Sequence, residues 1–256
     1  MQRILGSRHL LYSLARREYQ LRYRQSFAGL GWAIIIPVVT LIVGNVLFHQ
    51  TFRVSTEGVN YAVFSLAGLV PWSFFSGSLT AGSGSIVTNR QIVTKLPFPR
   101  AVLPLADITT SLIDLGVALV LFVGVTLILG PGLPWTAVWI PVLLTIEIVF
   151  VVGIVFLITS MNVFARDIRL GVPIAVQLWL FLTPVLYPLT KVPPHLRSLF
   201  RLNPMTGLVE SFRDALVFGK SPNWGFLVPA IVGAVVMFVI GVWYFKETEP
   251  RFADLA

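Results

Sequence analysis

Six apolar runs alternate with short polar connections along the chain, at roughly 30–50, 60–84, 105–129, 138–163, 170–188 and 226–245. A helix of about 20 residues crosses the ~30 Å hydrocarbon core of a bilayer, so each run predicts a transmembrane helix. The fifth is short and carries Pro173 and Pro184. That predicts a kink or a break, because proline removes a helical N–H and clashes with the preceding turn. A different period precedes the first run. Across 9–26, HLLYSLARREYQLRYRQS, the residues Ser13, Arg16, Arg17, Gln20 and Arg24 share one helical stripe. Leu11, Leu14, Ala15 and Leu21 share another, with Tyr12, Tyr19 and Tyr23 on a flank. This predicts an amphipathic helix in the membrane interface, arginines toward lipid phosphates and tyrosines at headgroup depth. The alternative is a solvated basic helix docked on another protein. The run from Leu30 to Phe48 exceeds the apolar core of a signal peptide and no small-x-small site follows, so the N-terminus is expected to be retained.

The connection at 189–224 is the longest and is not simply polar. Leu196, Leu199, Phe200 and Leu202, then Leu208, Val209, Phe212, Leu216 and Val217, recur at near-helical spacing, punctuated by Pro193-Pro194 and Asn203-Pro204. Two short amphipathic helices dipping into a leaflet fit this pattern. Within the second, Glu210, Arg213 and Asp214 are helix neighbours, which predicts a local ion pair.

Composition supports the bilayer as solvent. The chain has 256 residues, 56% hydrophobic and only 12% charged, about half the charged fraction of soluble domains. Cysteine is absent, which excludes disulfides and thiolate metal sites. His9, His49 and His195 are far apart, so no imidazole metal cluster is expected. The net charge of +8 would suggest nucleic acid in a soluble protein. Here the cations flank apolar runs and read as an orientation signal, with no nucleic-acid partner. One side collects Arg3, Arg8, Arg16, Arg17, Arg22 and Arg24, then Arg90, Lys95 and Arg100, then Arg166 and Arg169, then Lys246 and Arg251. The other has Arg53 and the cations of the long connection, Lys191, Arg197, Arg201, Arg213 and Lys220. Both termini are therefore expected in the cytoplasm, with 189–224 outside and its five cations the least comfortable part of the assignment.

The 88–100 stretch, TNRQIVTKLPFPR, then faces the cytoplasm with three cations and no acid. Orientation explains the charge but not KLPFPR. Each proline fixes its own φ and holds the residue before it extended, so Phe98 is expected on a stiff turn suited to docking in a partner's cleft.

Three carboxylates lie in or near the runs. Asp107 opens the third, and Asp114 lies two turns on along the same face, about 13 Å deep at the helical rise of ~1.5 Å per residue. Glu147 sits in the fourth. A charge at mid-membrane costs about 2.5–3.5 kcal/mol on insertion scales, so these groups should face protein or a wet cavity, or be protonated. Satisfied contacts between helices are the expectation for Asp107 and Glu147. For Asp114 a substrate contact and a structural contact stand equally. Aromatics default to packing and headgroup anchoring, yet sugar rings stack on them. The small residues of SGSLTAGSGS (76–85) suit either a dimer or pore approach or close packing within one subunit. Arg166, Asp167 and Arg169 form either a second partner contact or a self-satisfied turn. Gly219-Lys220-Ser221 lacks the upstream glycine of a phosphate loop, with Asp214 in its place, and Pro222 forbids the helix that should follow.

The combination of LAGLVPWSFF (66–75), LPFPR (96–100), FARDIR (164–169), LTPVLYP (182–188), LNPMTGLVESFRDALVFG (202–219) and RFADLA (251–256) resembles the membrane subunit of type-2 ABC exporters for polysaccharide, O-antigen and teichoic acid. The likeness covers nearly the whole chain. It implies an all-α membrane protein whose single transmembrane domain comprises an interfacial helix at 9–26, spans 1–5 within 30–188, an external re-entrant hairpin at 189–224, span 6 at 226–245 and a cytoplasmic tail at 246–256. It implies a homodimer in the inner membrane, each copy on a separate ATPase subunit. ATP and Mg would then belong to that partner, leaving no cofactor and no catalytic residue in this chain. The cargo would be a lipid-linked glycan. The resemblance assigns ATPase coupling to Asn89, Arg90, Lys95, Phe98, Pro99 and Arg100, joined by Arg166, Asp167 and Arg169. It assigns an interfacial gate helix to Arg16, Arg17, Tyr19 and Arg24. Family members line their path with aromatics, which points to Trp72, Phe75, Trp179 and Tyr187, with Asp114. The alternatives are an ABC exporter of a drug or lipid, and a membrane-embedded transferase or ion-driven carrier. A carrier is expected to show inverted repeats, and none is visible.

Overall fold

The computed structural model describes residues 8–23, 31–51, 56, 58–95, 98–130, 132–165 and 167–252, and among these every regular element is helical. In chain order they are α1 (Arg8–Tyr23), α2 (Trp32–Gly44), a wider π-helical turn (Asn45–Thr51), α3 (Tyr61–Gly82), α4 (Ser85–Thr88), α5 (Arg90–Lys95) and α6 (Val102–Leu129). There follow α7 (Ile140–Phe164, entered through a 3-10 turn at Trp135–Trp139), α8 (Ile168–Phe181), α9 (Arg197–Leu202), α10 (Pro204–Leu216) and α11 (Trp224–Thr248, extended by a 3-10 turn at Glu249–Arg251).

Four segments are long and apolar enough to cross a membrane: Tyr61–Gly82, Val102–Leu129, Trp135–Phe164 and Trp224–Arg251. Two shorter apolar helices, Ile34–Phe48 and Ile168–Phe181, occupy the first and fifth runs. The shortness of α8 is local chemistry. Pro173 lies inside it without ending it, and the helix stops before Pro184, where the chain unwinds through 182–188.

The central element is α3. Of its most apolar window 78% is buried, against 22% for those of α6 and α11, whose outer faces stay bare. Its small residues serve that position. A Cβ at Gly82 would lie 2.5 Å from Val155 Cγ1, and Thr159 Oγ1 donates to the Gly82 carbonyl at 2.7 Å. Within SGSLTAGSGS, Gly82 therefore packs on α7, while Gly77 faces Ser111 of α6 and Thr80 is exposed. Where α7 and α11 cross, Gly153 and Gly241 bring backbone against backbone; a Cβ on Gly153 would sit 2.5 Å from the Met237 carbonyl.

The two ends of the bundle are built differently. Leu14 and Ala15 of α1, Ile86, Val93, Ala101, Phe156, Phe245 and Phe252 form one buried apolar cluster, so the beginning and end of the described chain share one end. At the opposite end three helices begin with asparagine caps: Asn60 accepts from Ala62 N at 2.9 Å, Asn203 from Met205 N at 3.1 Å, and Asn223 from Gly225 N at 2.9 Å.

Packing adds to two expectations. α1 lies on the bundle, its Leu14 and Ala15 buried against protein while Tyr12 and Leu21 remain exposed. And α10 does not present its apolar face to lipid: Leu208, Val209, Phe212 and Leu216 are fully or nearly fully buried, facing α3 and α11. Leu199 and Leu202 of α9 do stay exposed.

Candidate functional site

The unwound 182–188 segment sets a physical problem. Non-helical backbone at membrane depth is tolerated only when its polar groups find partners. Here they do, one after another. Phe181 O accepts from the Tyr187 hydroxyl at 2.6 Å, Leu182 O from Asn203 Nδ2 at 3.2 Å and Thr183 O from Val185 N at 2.7 Å. Pro184 O accepts from Arg213 Nη1 at 2.6 Å, Val185 O from Arg213 Nη2, and Leu186 O from the Tyr61 hydroxyl at 2.9 Å.

Arg213 is the centre of this arrangement. It lies on α10 and is wholly buried. Its Nη1 also meets Glu210 Oε1 at 2.7 Å, its Nε reaches Phe64 O at 3.4 Å, and the guanidinium lies 3.8 Å from the centroid of the Phe64 ring. The local Glu210–Arg213 pair was legible as an i,i+3 spacing. The long-range part was not, because backbone acceptors leave no mark in a sequence. Around it, LAGLVPWSFF of α3, LTPVLYP of the break and LNPMTGLVESFRDAL of α9–α10 come together. Gly68 shows how closely: a Cβ there would lie 2.9 Å from both Arg213 Nη2 and Val185 O. A cavity of about 630 Å³ opens beside Tyr61, lined by Asn45, Thr56 and Asn60 among others.

Trp72, Phe75 and Trp179 are brought together, but in the core. They converge on Phe75, whose ring is 5.4 Å from Trp72, 5.1 Å from Trp179 in an edge-on contact and 5.8 Å from Phe150 in a stack. Phe75 is fully buried and Trp179 Nε1 donates to Asn203 Oδ1 at 3.2 Å. Within one subunit these rings pack on one another. Tyr187 lies apart from them, 5.8 Å from Phe48.

At the other end, the basic stretch is tied to three elements. Arg17 of α1 donates to Asn89 Oδ1 at 3.0 Å, and Asn89 Nδ2 donates to Ser85 O at 2.9 Å. Arg100 N donates to Glu249 Oε1 at 3.1 Å, and its guanidinium bonds Glu249 O. Phe98 is half-buried and packs on the apolar cluster of that end instead of standing free, and Pro99 is half-buried beside it. The exposed residues are Thr88, Arg90, Gln91 and Thr94. Only the backbone of Lys95, which closes α5, is described. Arg24 and Arg166 lie outside the described residues. Arg16 is exposed, Tyr19 is half-buried 5.1 Å from the Tyr23 ring, and Asp167 and Arg169 are exposed, with Arg169 N donating to Asn162 Oδ1 at 3.1 Å.

The acids divide. Asp114 accepts a hydrogen bond from the Tyr23 hydroxyl, which fastens the end of α1 to α6. Asp107 is buried at the start of α6. Glu147 departs from expectation: it is wholly buried and neither carboxyl oxygen has a hydrogen-bond partner among the described residues. Among those residues, too, no group of three His, Asp or Glu side chains converges as a metal site.

Helices of membrane-crossing length, a broken one braced from inside and a charged end face define a multi-pass membrane protein. Residues 9–217 match the ABC-2 type transporter family, to which the chain belongs. It is 32% identical over 249 residues to the O-antigen export system permease protein RfbA of Myxococcus xanthus, covering 96% of this chain and 95% of that one. It is 27% identical to the protein of the same name from Klebsiella pneumoniae, covering 96% and 94%. It is 22% identical over 244 residues to the polysialic acid transport protein KpsM of Escherichia coli, covering 93% and 92%.

Proposed function

We propose that this chain is the permease subunit of an ATP-driven exporter that moves a lipid-linked, O-antigen-like polysaccharide across the inner membrane. The near-full-length likeness to two permeases named for O-antigen export carries the reading. The chain crosses six times, with α2 and α8 as the two short spans, both termini cytoplasmic, and α9–α10 an external re-entrant hairpin. ATP and Mg are handled by a separate ATPase subunit, and two copies of this chain form the conduit in lipid. The exposed side chains of α4 and α5, Arg90 foremost, meet the ATPase, with Lys95, Arg169 and Asp167 alongside. Phe98, Pro99, Arg100 and Asn89 act behind that surface, passing its movement to α11 through Glu249 and to α1 through Arg17. Arg16 and Tyr19 place α1 as a gate at the headgroups. Trp72, Phe75 and Trp179 reach the glycan only if helix motion uncovers them, whereas Tyr187 and Asp114 sit nearer the faces.

Reconstitution with the partner ATPase in proteoliposomes containing a lipid-linked O-polysaccharide tests the reading. ATP should move the glycan across the bilayer. Glycan that stays put while ATP is hydrolysed overturns the cargo. An Arg90→Cys variant whose thiol a membrane-impermeant maleimide reaches only from the outer face overturns the orientation.

A further inference from the structure

We propose that Arg213 is a positioning residue for export: it fixes the shape of the 181–188 break and yokes it to α3 and α10, so that the three segments move as one body. The inference rests on the export reading above.

Six successive carbonyls, Phe181 to Leu186, each have a donor. The donors from outside the break come from α3 (Tyr61), from the cap of α10 (Asn203) and from α10 itself (Arg213). If α8 and the break swung away from α10, the buried Pro184 and Val185 carbonyls and that of Leu182 would lose these donors together, and the buried guanidinium would lose two of its acceptors. Joint movement costs none of this. The planar guanidinium matters because one group reaches Phe64 O, Pro184 O, Val185 O and Glu210 Oε1 at once, which a point-charge ammonium cannot do. Gly68 lies where α3 leaves space for that fork: a Cβ would intrude on Arg213 Nη2 and Val185 O alike.

The test uses the whole complex with its ATPase in proteoliposomes and reads export and ATP turnover separately. R213K keeps the charge beside Glu210 but not the fork; its ATP turnover should stay within about twofold of the parent while export falls by about tenfold or more. Y61F removes one donor and no charge, and should lower export by about two- to fivefold at unchanged turnover. The chain has no native cysteine, so T183C paired with N203C, replacing side chains that hydrogen-bond at 2.9 Å, gives a disulfide between break and hairpin. Because N203C also removes the donor to Leu182 O, the reduced form should export below the parent yet measurably, and oxidation should leave that rate unchanged. Export by R213K at the parental rate overturns the proposal. So does a disulfide that stops export until reduced, because break and hairpin would then have to separate. If R213K does not assemble, Y61F and the disulfide pair decide; turnover and export falling in parallel in Y61F assign the clamp to folding alone. A parent complex that moves no glycan sinks the export reading itself, whereas a parent that exports leaves only this inference at stake.

Discussion

Both ends of the bundle carry arginines, and they use them in opposite ways. At the end that holds α1 and the close of α11, apolar side chains make the core, and Arg90, Arg16 and Arg251 stand exposed. At the hairpin end one cation is wholly inside. Arg213 braces unwound backbone, Arg197 donates to Val192 O and Thr190 O at 2.9 and 2.8 Å, and Arg201 lies 5.0 Å from the Phe226 centroid. The first end keeps its arginines at or near the surface; the other takes one wholly inside. Of the five cations of 189–224 that weigh against the proposed orientation, Arg213 and Arg197 are bonded to backbone of this region.

The contrast breaks most directly at Arg213. Arg213→Ala leaves Glu210 and two buried carbonyls without their donor, and should destabilise the protein by about 3–5 kcal/mol, seen as a large fall in melting temperature in detergent. A gain there would mean the cation is not structural. Glu147 sharpens the comparison from the other side, as a buried acid with no such brace among the described residues. Glu147→Met removes its unsatisfied oxygens at similar shape and should stabilise by about 1–3 kcal/mol in the same melt; a loss would reveal a partner. At the exposed end, Arg100→Ala removes the guanidinium bond to the Glu249 carbonyl in a half-buried setting and should cost about 1 kcal/mol; because that acceptor is main chain, the effect should persist in a Glu249→Ala background, where only the bond from Arg100 N to the carboxylate is lost. Arg90→Glu is expected to leave the melting curve unmoved while lowering ATP-stimulated export, since that side chain touches solvent. A melt shifted as far as that of Arg213→Ala would erase the distinction between the ends.

The long apolar runs were legible because uninterrupted hydrophobicity has one solution in a bilayer: α3, α6, α7 and α11 begin and end within a few residues of the runs at 60–84, 105–129, 138–163 and 226–245. The break in the fifth run was legible from Pro184. What covers a face was not. Helical spacing marked Leu208, Phe212 and Leu216 as one apolar stripe, but the stripe looks the same whether lipid or α3 lies against it. Prolines marked the turn at Phe98 and left its direction open. Arg213 was the hardest, since its acceptors lie at Phe64, Pro184 and Val185, far off in the chain and identical in kind to every other carbonyl.

In ion-driven carriers an interrupted span commonly lends its freed oxygens to sodium. Between Phe181 and Leu186 every such oxygen is already spoken for, and a fixed guanidinium occupies the seat. A travelling cation would meet like charge there, so this break is built as a fixed joint and not as an ion seat.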